Sequence, residues 1–101
     1  MTLVYITCRD EKEAVNISMH LLKKRLVACA NMFPARSVYW WNGNIENHTE
    51  EIIIAKTNNK NFNKVVAEVK KVHSYKIPCI LKINAKGNKD YEKWANKELR
   101  V

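Results

Sequence analysis

The chain has 101 residues, 47% of them hydrophobic, and only two glycines and two prolines, which excludes a low-complexity sequence and predicts one globular domain. No stretch approaches the roughly 18 apolar residues of a membrane span, so we expect a soluble protein with no membrane partner. The cysteines are odd in number and scattered, at Cys8, Cys29 and Cys79, which argues against a secreted disulfide framework. We therefore expect a cytoplasmic protein with reduced thiols. The net charge of +8 indicates either an anionic partner or a lysine-rich solvated surface, and the scattered lysines favour the surface.

The first part of the chain predicts a strand followed by a helix. Residues 3–8 are β-branched, aromatic and apolar, as is typical of a strand. A helix follows as far as Leu26, with Asp10 as its N-cap and acidic residues in its first turn, where the helix dipole favours them. Its apolar side recurs at helical spacing in Ala14, Ile17, Leu21, Leu22 and Leu26.

A long hairpin is predicted next. Its first strand covers residues 27–33 and resumes over residues 37–41; its second strand starts at residue 45 and continues over residues 50–57. Pro34 interrupts the first strand, which fits an edge strand, a bulge or a bend because proline cannot donate to a ladder. The Asn-Gly-Asn sequence at 42–44 supplies residues that tolerate the positive φ of a tight turn.

The remaining residues predict a helix, a strand and a terminal helix. One face of the first of these helices is apolar, through Phe62, Val65, Val66, Val69 and Val72. Asn59 or Asn61 is its expected N-cap. Pro78 forces extended backbone into a fourth strand over residues 79–83, and a helix over residues 89–99 completes the chain.

The order βαββαβ plus a helix predicts an α+β, ferredoxin-like sandwich, with a four-stranded antiparallel sheet and helices on one face. This fold occurs in enzymes, RNA-binding modules, metal chaperones and sensors, so it does not decide the function. The acidic and aliphatic segment 50–54 lacks the aromatic residues on which bases stack, which argues against a nucleic-acid partner. His20, His48 and His73 lie in different elements without a paired nucleophile, so we expect no enzyme activity.

Two segments of the hairpin resemble the central signature of CutA proteins: Ser-Val-Tyr-Trp-Trp-Asn-Gly-Asn-Ile-Glu at 37–46 and Glu-Ile-Ile-Ile-Ala-Lys-Thr at 51–57. Residues 26–31, 73–80 and 87–94 are similar to further segments of that family, so the resemblance covers nearly the whole chain in order. It implies a single CutA-like domain over residues 1–101 with a PII-like fold. It also implies a non-enzymatic homotrimer linked to tolerance of copper and other divalent cations. The alternative is a PII-like sensor or scaffold that binds a small anionic ligand between subunits.

The hairpin gives its own argument for assembly. Tyr39, Trp40, Trp41 and Ile45 would leave aromatic surface and strand edges exposed on a monomer of this size. We expect these residues at the trimer interface, where a three-fold ring closes the contacts. In the alternative interpretation they pack on the protein's own helices.

A metal site is the second hypothesis. His73 and Cys79 flank the junction of the second long helix and the fourth strand, and imidazole with thiolate suits copper or zinc. Cys8 can join them if its strand end lies close. The segment departs from the family pattern at Ser74, Lys76 and Cys79, and Cys79 stands where a glutamate is usual. In the alternative interpretation there is no metal site: Cys79 is a small buried residue of the strand, and His73 is a residue at the end of the helix. In either case we expect no obligatory cofactor.

Overall fold

The computed structural model describes residues 1–100, and its strands and helices follow one another in the predicted order. Their bounds are β1 (Thr2–Cys8), α1 (Glu11–Lys23), β2 (Cys29–Trp41), β3 (Asn44–Thr57), α2 (Phe62–Val72), β4 (Ile80–Asn84) and α3 (Lys89–Glu98). A 3₁₀ turn, Asn59–Asn61, leads into α2. Within residues 1–100, no helix is both long enough and apolar enough to cross a membrane.

The four strands form one antiparallel sheet in the order β2-β3-β1-β4, which confirms the predicted ferredoxin-like arrangement. Successive side chains of a strand point to opposite faces, so Val4, Ile6 and Cys8 of β1 all enter the core. The helices α1 and α2 supply the other side of this core, whose buried members are Val4, Ile6, Cys8, Ala14, Ile17, Leu21, Leu26, Val27, Ile53, Ala55, Val65 and Val69. We call the sheet face that points away from this core the open face.

The helix α1 begins as predicted but ends earlier. The Asp10 side chain accepts a hydrogen bond from the Glu13 backbone N–H, which confirms Asp10 as the N-cap. The helix ends at Lys23, since Arg25 has a φ of 59° and the N–H groups of Arg25 and Leu26 bond back to the carbonyls of Leu22 and Leu21. This is a Schellman motif, in which the apolar residue after the left-handed position packs back on the helix. Leu26 therefore continues the apolar pattern without being helical.

The hairpin is longer and more regular than predicted. Strand β2 is unbroken at Pro34, which pairs with Glu51, because β2 is an edge strand where a missing N–H is tolerated. Asn42 and Gly43 have φ values of 50° and 79°, and together they form the tight turn. The distal half of this hairpin extends beyond the helices, and the molecule measures 45 × 25 × 21 Å.

Two further boundaries differ from the expectation. Asn61 occupies the N-cap position of α2, as one of the two predicted residues, but its side chain makes no cap hydrogen bond. Asn58 instead caps the preceding 3₁₀ turn by accepting from the Asn61 N–H. Asn61 is fully buried, and its amide donates to the carbonyl of Leu26. Strand β4 begins at Ile80, one residue after the predicted start, and Cys79 still accepts a hydrogen bond from the Thr7 N–H.

Candidate metal centre and the pocket beside it

The imidazole of His73 joins three segments of the chain. His73 directly follows α2, and its side chain is fully buried. Nε2 lies 2.7 Å from the carbonyl oxygen of Thr7, and Nδ1 lies 3.0 Å from the backbone nitrogen of Tyr75. A carbonyl can only accept and a backbone N–H can only donate, so the proton is on Nε2 and the lone pair is on Nδ1.

Glu13, in the first turn of α1, faces the same imidazole. Its two carboxylate oxygens accept hydrogen bonds of 2.9 Å, one from the Arg9 N–H and one from the Ser74 N–H. Burial disfavours the charged form, but these backbone donors outweigh it, so the pKa of the Glu13 carboxyl is lowered. The carboxylate is therefore ionised at neutral pH.

Cys8, at the end of β1, completes a buried group that we call the Cys8 cluster: Cys8, Glu13 and His73. The ligand atoms of these three residues all lie within 4.8 Å of one another. Burial, followed by the charge of Glu13, raises the pKa of the Cys8 thiol to about 12. The thiol is thus protonated at neutral pH, unless a metal ion displaces its proton.

The chemistry of this donor set fits a thiophilic divalent ion. Tetrahedral zinc with bonds of about 2.0 to 2.3 Å places its ligand atoms roughly 3.5 Å apart. This separation is shorter than the 4.8 Å limit within which the three ligand atoms of the cluster lie. The hydrogen bond from Nε2 to the Thr7 carbonyl is of the kind that orients metal-binding histidines. Nδ1 lies 3.9 Å from Oε1 of Glu13, and its lone pair accepts the hydrogen bond from the Tyr75 N–H.

Cys79 does not join this cluster. The pairing of Ile6 with Ile80 sets Cys79 beside Thr7, and both residues lie on the open face, whereas Cys8 points into the core. Of the three predicted ligands, the structure therefore brings Cys8 and His73 together, adds Glu13, and leaves Cys79 on the other side of the sheet. The sequence carried a signal for Glu13 in the Asp10–Glu13 spacing, which is that of a capping box.

A pocket of about 880 Å³ opens on the other face of the sheet, where β1, the hairpin and the segment before β4 all contribute to its lining. We call it the hairpin pocket; its lining includes Tyr5, Arg36, Tyr39, Trp41, Glu50, Tyr75, Lys76 and Cys79. Glu50 is only 5% exposed, and its carboxylate accepts a 2.5 Å hydrogen bond from the Tyr75 hydroxyl. Burial and this bond together raise the pKa of Tyr75. The pairing of Tyr75 with Glu50 was not predicted from the sequence.

The four residues predicted for the trimer interface lie on the distal hairpin and are exposed. Trp40 and Ile45, which pair across the strands, are 72% and 60% exposed, and Tyr39 and Trp41 are 37% and 41% exposed. The alternative, in which these side chains pack on the protein's own helices, is wrong for this chain.

The family model described as CutA1 divalent ion tolerance protein matches residues 2–98. This chain belongs to the CutA family. It is 45% identical over 92 residues to the divalent-cation tolerance protein CutA of Archaeoglobus fulgidus, with 90% of each chain covered. Membership supports a role in divalent-cation tolerance, the property for which the family is named.

Solved CutA structures share the whole fold. CutA1 from Pyrococcus horikoshii superposes with a TM-score of 0.96 at 36% identity and covers 100% of both chains. The A. fulgidus protein, described as a periplasmic divalent cation tolerance protein, gives 0.96 at 41% identity and covers 99% of this chain and 100% of its own. A PII-like CutA from Nostoc gives 0.91 at 19% identity, covering 99% and 98%, and shows the PII-like fold alone.

Glu13→Gln should destabilise the protein by about 1 to 3 kcal/mol at neutral pH, because it removes the charge that two buried N–H donors face. The lowered pKa gives Glu13 a stabilising effect that is complete above its ordinary pKa of 4.5 and is lost as the pH falls through the lowered value. Urea unfolding at fixed protein concentration should therefore show a gap between variant and wild type that narrows below about pH 4.5. Glu11→Gln, on the exposed side of the same first turn, is the control, and a gap independent of pH would contradict the assignment.

Proposed function

We propose that this protein is a non-enzymatic homotrimer of divalent metal-ion response, and that the Cys8 cluster holds the ion. The observation that carries the proposal is the convergence of a thiol, a carboxylate and an imidazole within 4.8 Å in the core. Thiolate and imidazole select thiophilic ions such as zinc and copper over magnesium or calcium. When bound, the ion would keep the Cys8 thiol deprotonated.

The state of each group supports a binding role over catalysis. The raised pKa of Cys8 leaves little thiolate to act as a nucleophile. Both nitrogens of His73 are engaged by backbone groups, so the imidazole is not poised as a general base. Both features argue against catalysis by these side chains.

Isothermal titration of zinc chloride into the full chain under reducing conditions tests the site. We expect Cys8→Ala to weaken zinc binding by at least about a hundredfold, because losing a ligand costs more than losing the outer partner of a ligand. Cys79→Ser is the matched control and should bind as the wild type does, since Cys79 lies on the open face. Equal affinities for Cys8→Ala and wild type, or a loss confined to Cys79→Ser, would refute the assignment.

Exposed apolar surface supports the trimer. An antiparallel sheet with one solvated face ordinarily carries polar residues there. On this chain the outward positions Phe33, Leu81 and Ile83 are 41%, 51% and 42% exposed. The edge strands β2 and β4 also present unpaired backbone groups. Subunits that associate in a closed ring would cover both the surface and the edges.

Light scattering after size exclusion tests the assembly. We expect a mass three times that of the 11.8 kDa chain, and Trp40→Glu should lower it to that of one chain, because a charge would enter an apolar contact. Val15→Glu, which changes a 40% exposed residue on α1 instead, should leave the trimer intact. A wild-type protein that is monomeric at micromolar concentration would contradict the proposed trimer.

The second candidate is a PII-like sensor that binds a small anionic ligand in the hairpin pocket. The volume of the pocket is that of a ligand site, and Arg36 and Lys76 in its lining can pair with carboxylate or phosphate. A thermal-shift screen separates the candidates: stabilisation by nucleotides or organic anions, and none by zinc, would favour the sensor.

We further propose a cytoplasmic location, where the three free thiols of the chain would stay reduced. Because the A. fulgidus relative is described as periplasmic, cell fractionation is the direct test.

A further inference from the structure

The three residues after α2, His73, Ser74 and Tyr75, connect the two faces of the sheet. On the core side, the Ser74 N–H donates to Glu13, and Nε2 of His73 donates to the Thr7 carbonyl. On the open face, the Tyr75 hydroxyl donates to Glu50 in the hairpin pocket. One short segment thus contacts both the Cys8 cluster and the pocket.

The backbone of Tyr75 competes with an ion for the same lone pair. Neutral imidazole has one lone pair in its ring plane, on Nδ1, and the Tyr75 N–H occupies it at 3.0 Å. Nε2 can keep its bond to Thr7 when Nδ1 becomes a ligand. Occupation of the Cys8 cluster through His73 therefore requires the Tyr75 N–H to leave Nδ1.

We propose that residues 73–75 form a latch. When the Cys8 cluster is empty, the latch is closed and the Tyr75 hydroxyl bonds to Glu50 in the lining of the hairpin pocket; when a thiophilic cation binds His73, Tyr75 is released from Glu50. The inference rests on the metal site proposed above. The N–H and the hydroxyl that hold the closed state belong to the same residue, so displacement of the backbone of Tyr75 strains its hydroxyl contact as well. The His73 and Tyr75 rings, with centroids 4.8 Å apart, add a direct contact across the latch.

The release changes the pocket in a defined way. Glu50 is 5% exposed and loses the donor that partners its carboxyl group, so a buried acceptor becomes available to whatever occupies the pocket. Trp41 lies in the same lining. Metal binding in the core would thus change the environment of Trp41 in the hairpin, on the other face of the sheet.

Coupling of this kind is reciprocal, so a variant that weakens the closed latch must bind the ion more tightly. Tyr75→Phe removes the hydroxyl bond to Glu50 and keeps every group of the Cys8 cluster and its charge. In zinc titrations under reducing conditions, it should bind about fivefold or more tightly than the wild type. Tyr5→Phe is the matched control, because it removes a hydroxyl from the same pocket without touching the latch.

A second measurement uses the unaltered sequence labelled with fluorotryptophan. Zinc should shift the fluorine resonance of Trp41, assigned from the Trp41→Phe variant, and should leave that of Trp94 on α3 unmoved. If circular dichroism shows that Tyr75→Phe does not fold, the zinc-induced shift of the Trp41 resonance in the wild-type protein tests the latch without that variant.

The outcomes separate the latch from the metal site. Zinc binding that depends on Cys8 but has the same affinity in Tyr75→Phe, or that leaves Trp41 unmoved, would overturn the latch and leave the site standing. A wild-type chain that binds no zinc overturns the site and the latch together.

Discussion

The buried imidazole of His73 is the constraint on which the arrangement of the site depends. It fixes the end of β1 through the Thr7 carbonyl and fixes the segment leading to β4 through the Tyr75 N–H. Glu13 ties the start of α1 to the same segment through Ser74. Three elements that are far apart in sequence therefore meet at one end of the sheet, and the Cys8 thiol lies among them.

The second constraint is that the helices α1 and α2 cover only one face of the sheet. A chain of this size has too few residues to build a layer on each side of a hairpin whose strands run to 13 and 14 residues. Apolar side chains consequently remain on the open face and on the distal hairpin. Burial of that surface between subunits and ligand binding in the hairpin pocket draw on the same residues, notably Tyr39 and Trp41. The proposed assembly and the proposed ligand site would therefore use the same uncovered surface.

Periodicity in the sequence was enough to predict the order of the elements and the Asp10 cap, because both are set by local spacing. The predicted end of α1 was wrong. Leu26 fits the helical spacing of apolar residues, but it belongs to a Schellman motif, in which Arg25 has the left-handed conformation. The exposed aromatics of the hairpin were predicted, because a long hairpin with several aromatic residues leaves surface uncovered on a monomer of this size.

The composition of the site was harder to predict. Cys79 is close to His73 in sequence, but whether a thiol enters the core or the open face depends on strand register, and register is a tertiary property. Glu13 was overlooked because a glutamate in a first turn is ordinarily explained by capping alone. Its second role, as the acceptor for Ser74, depends on a contact across 61 positions of the chain.

X-ray absorption spectroscopy at the zinc edge of the zinc-loaded protein tests directly whether Cys8 is a ligand of the ion. We expect the zinc to have one sulfur ligand at about 2.3 Å and nitrogen or oxygen ligands near 2.0 to 2.2 Å, and we expect the sulfur to be absent in Cys8→Ala. A shell of nitrogen and oxygen alone in the wild type, or a sulfur that persists in Cys8→Ala, would contradict it.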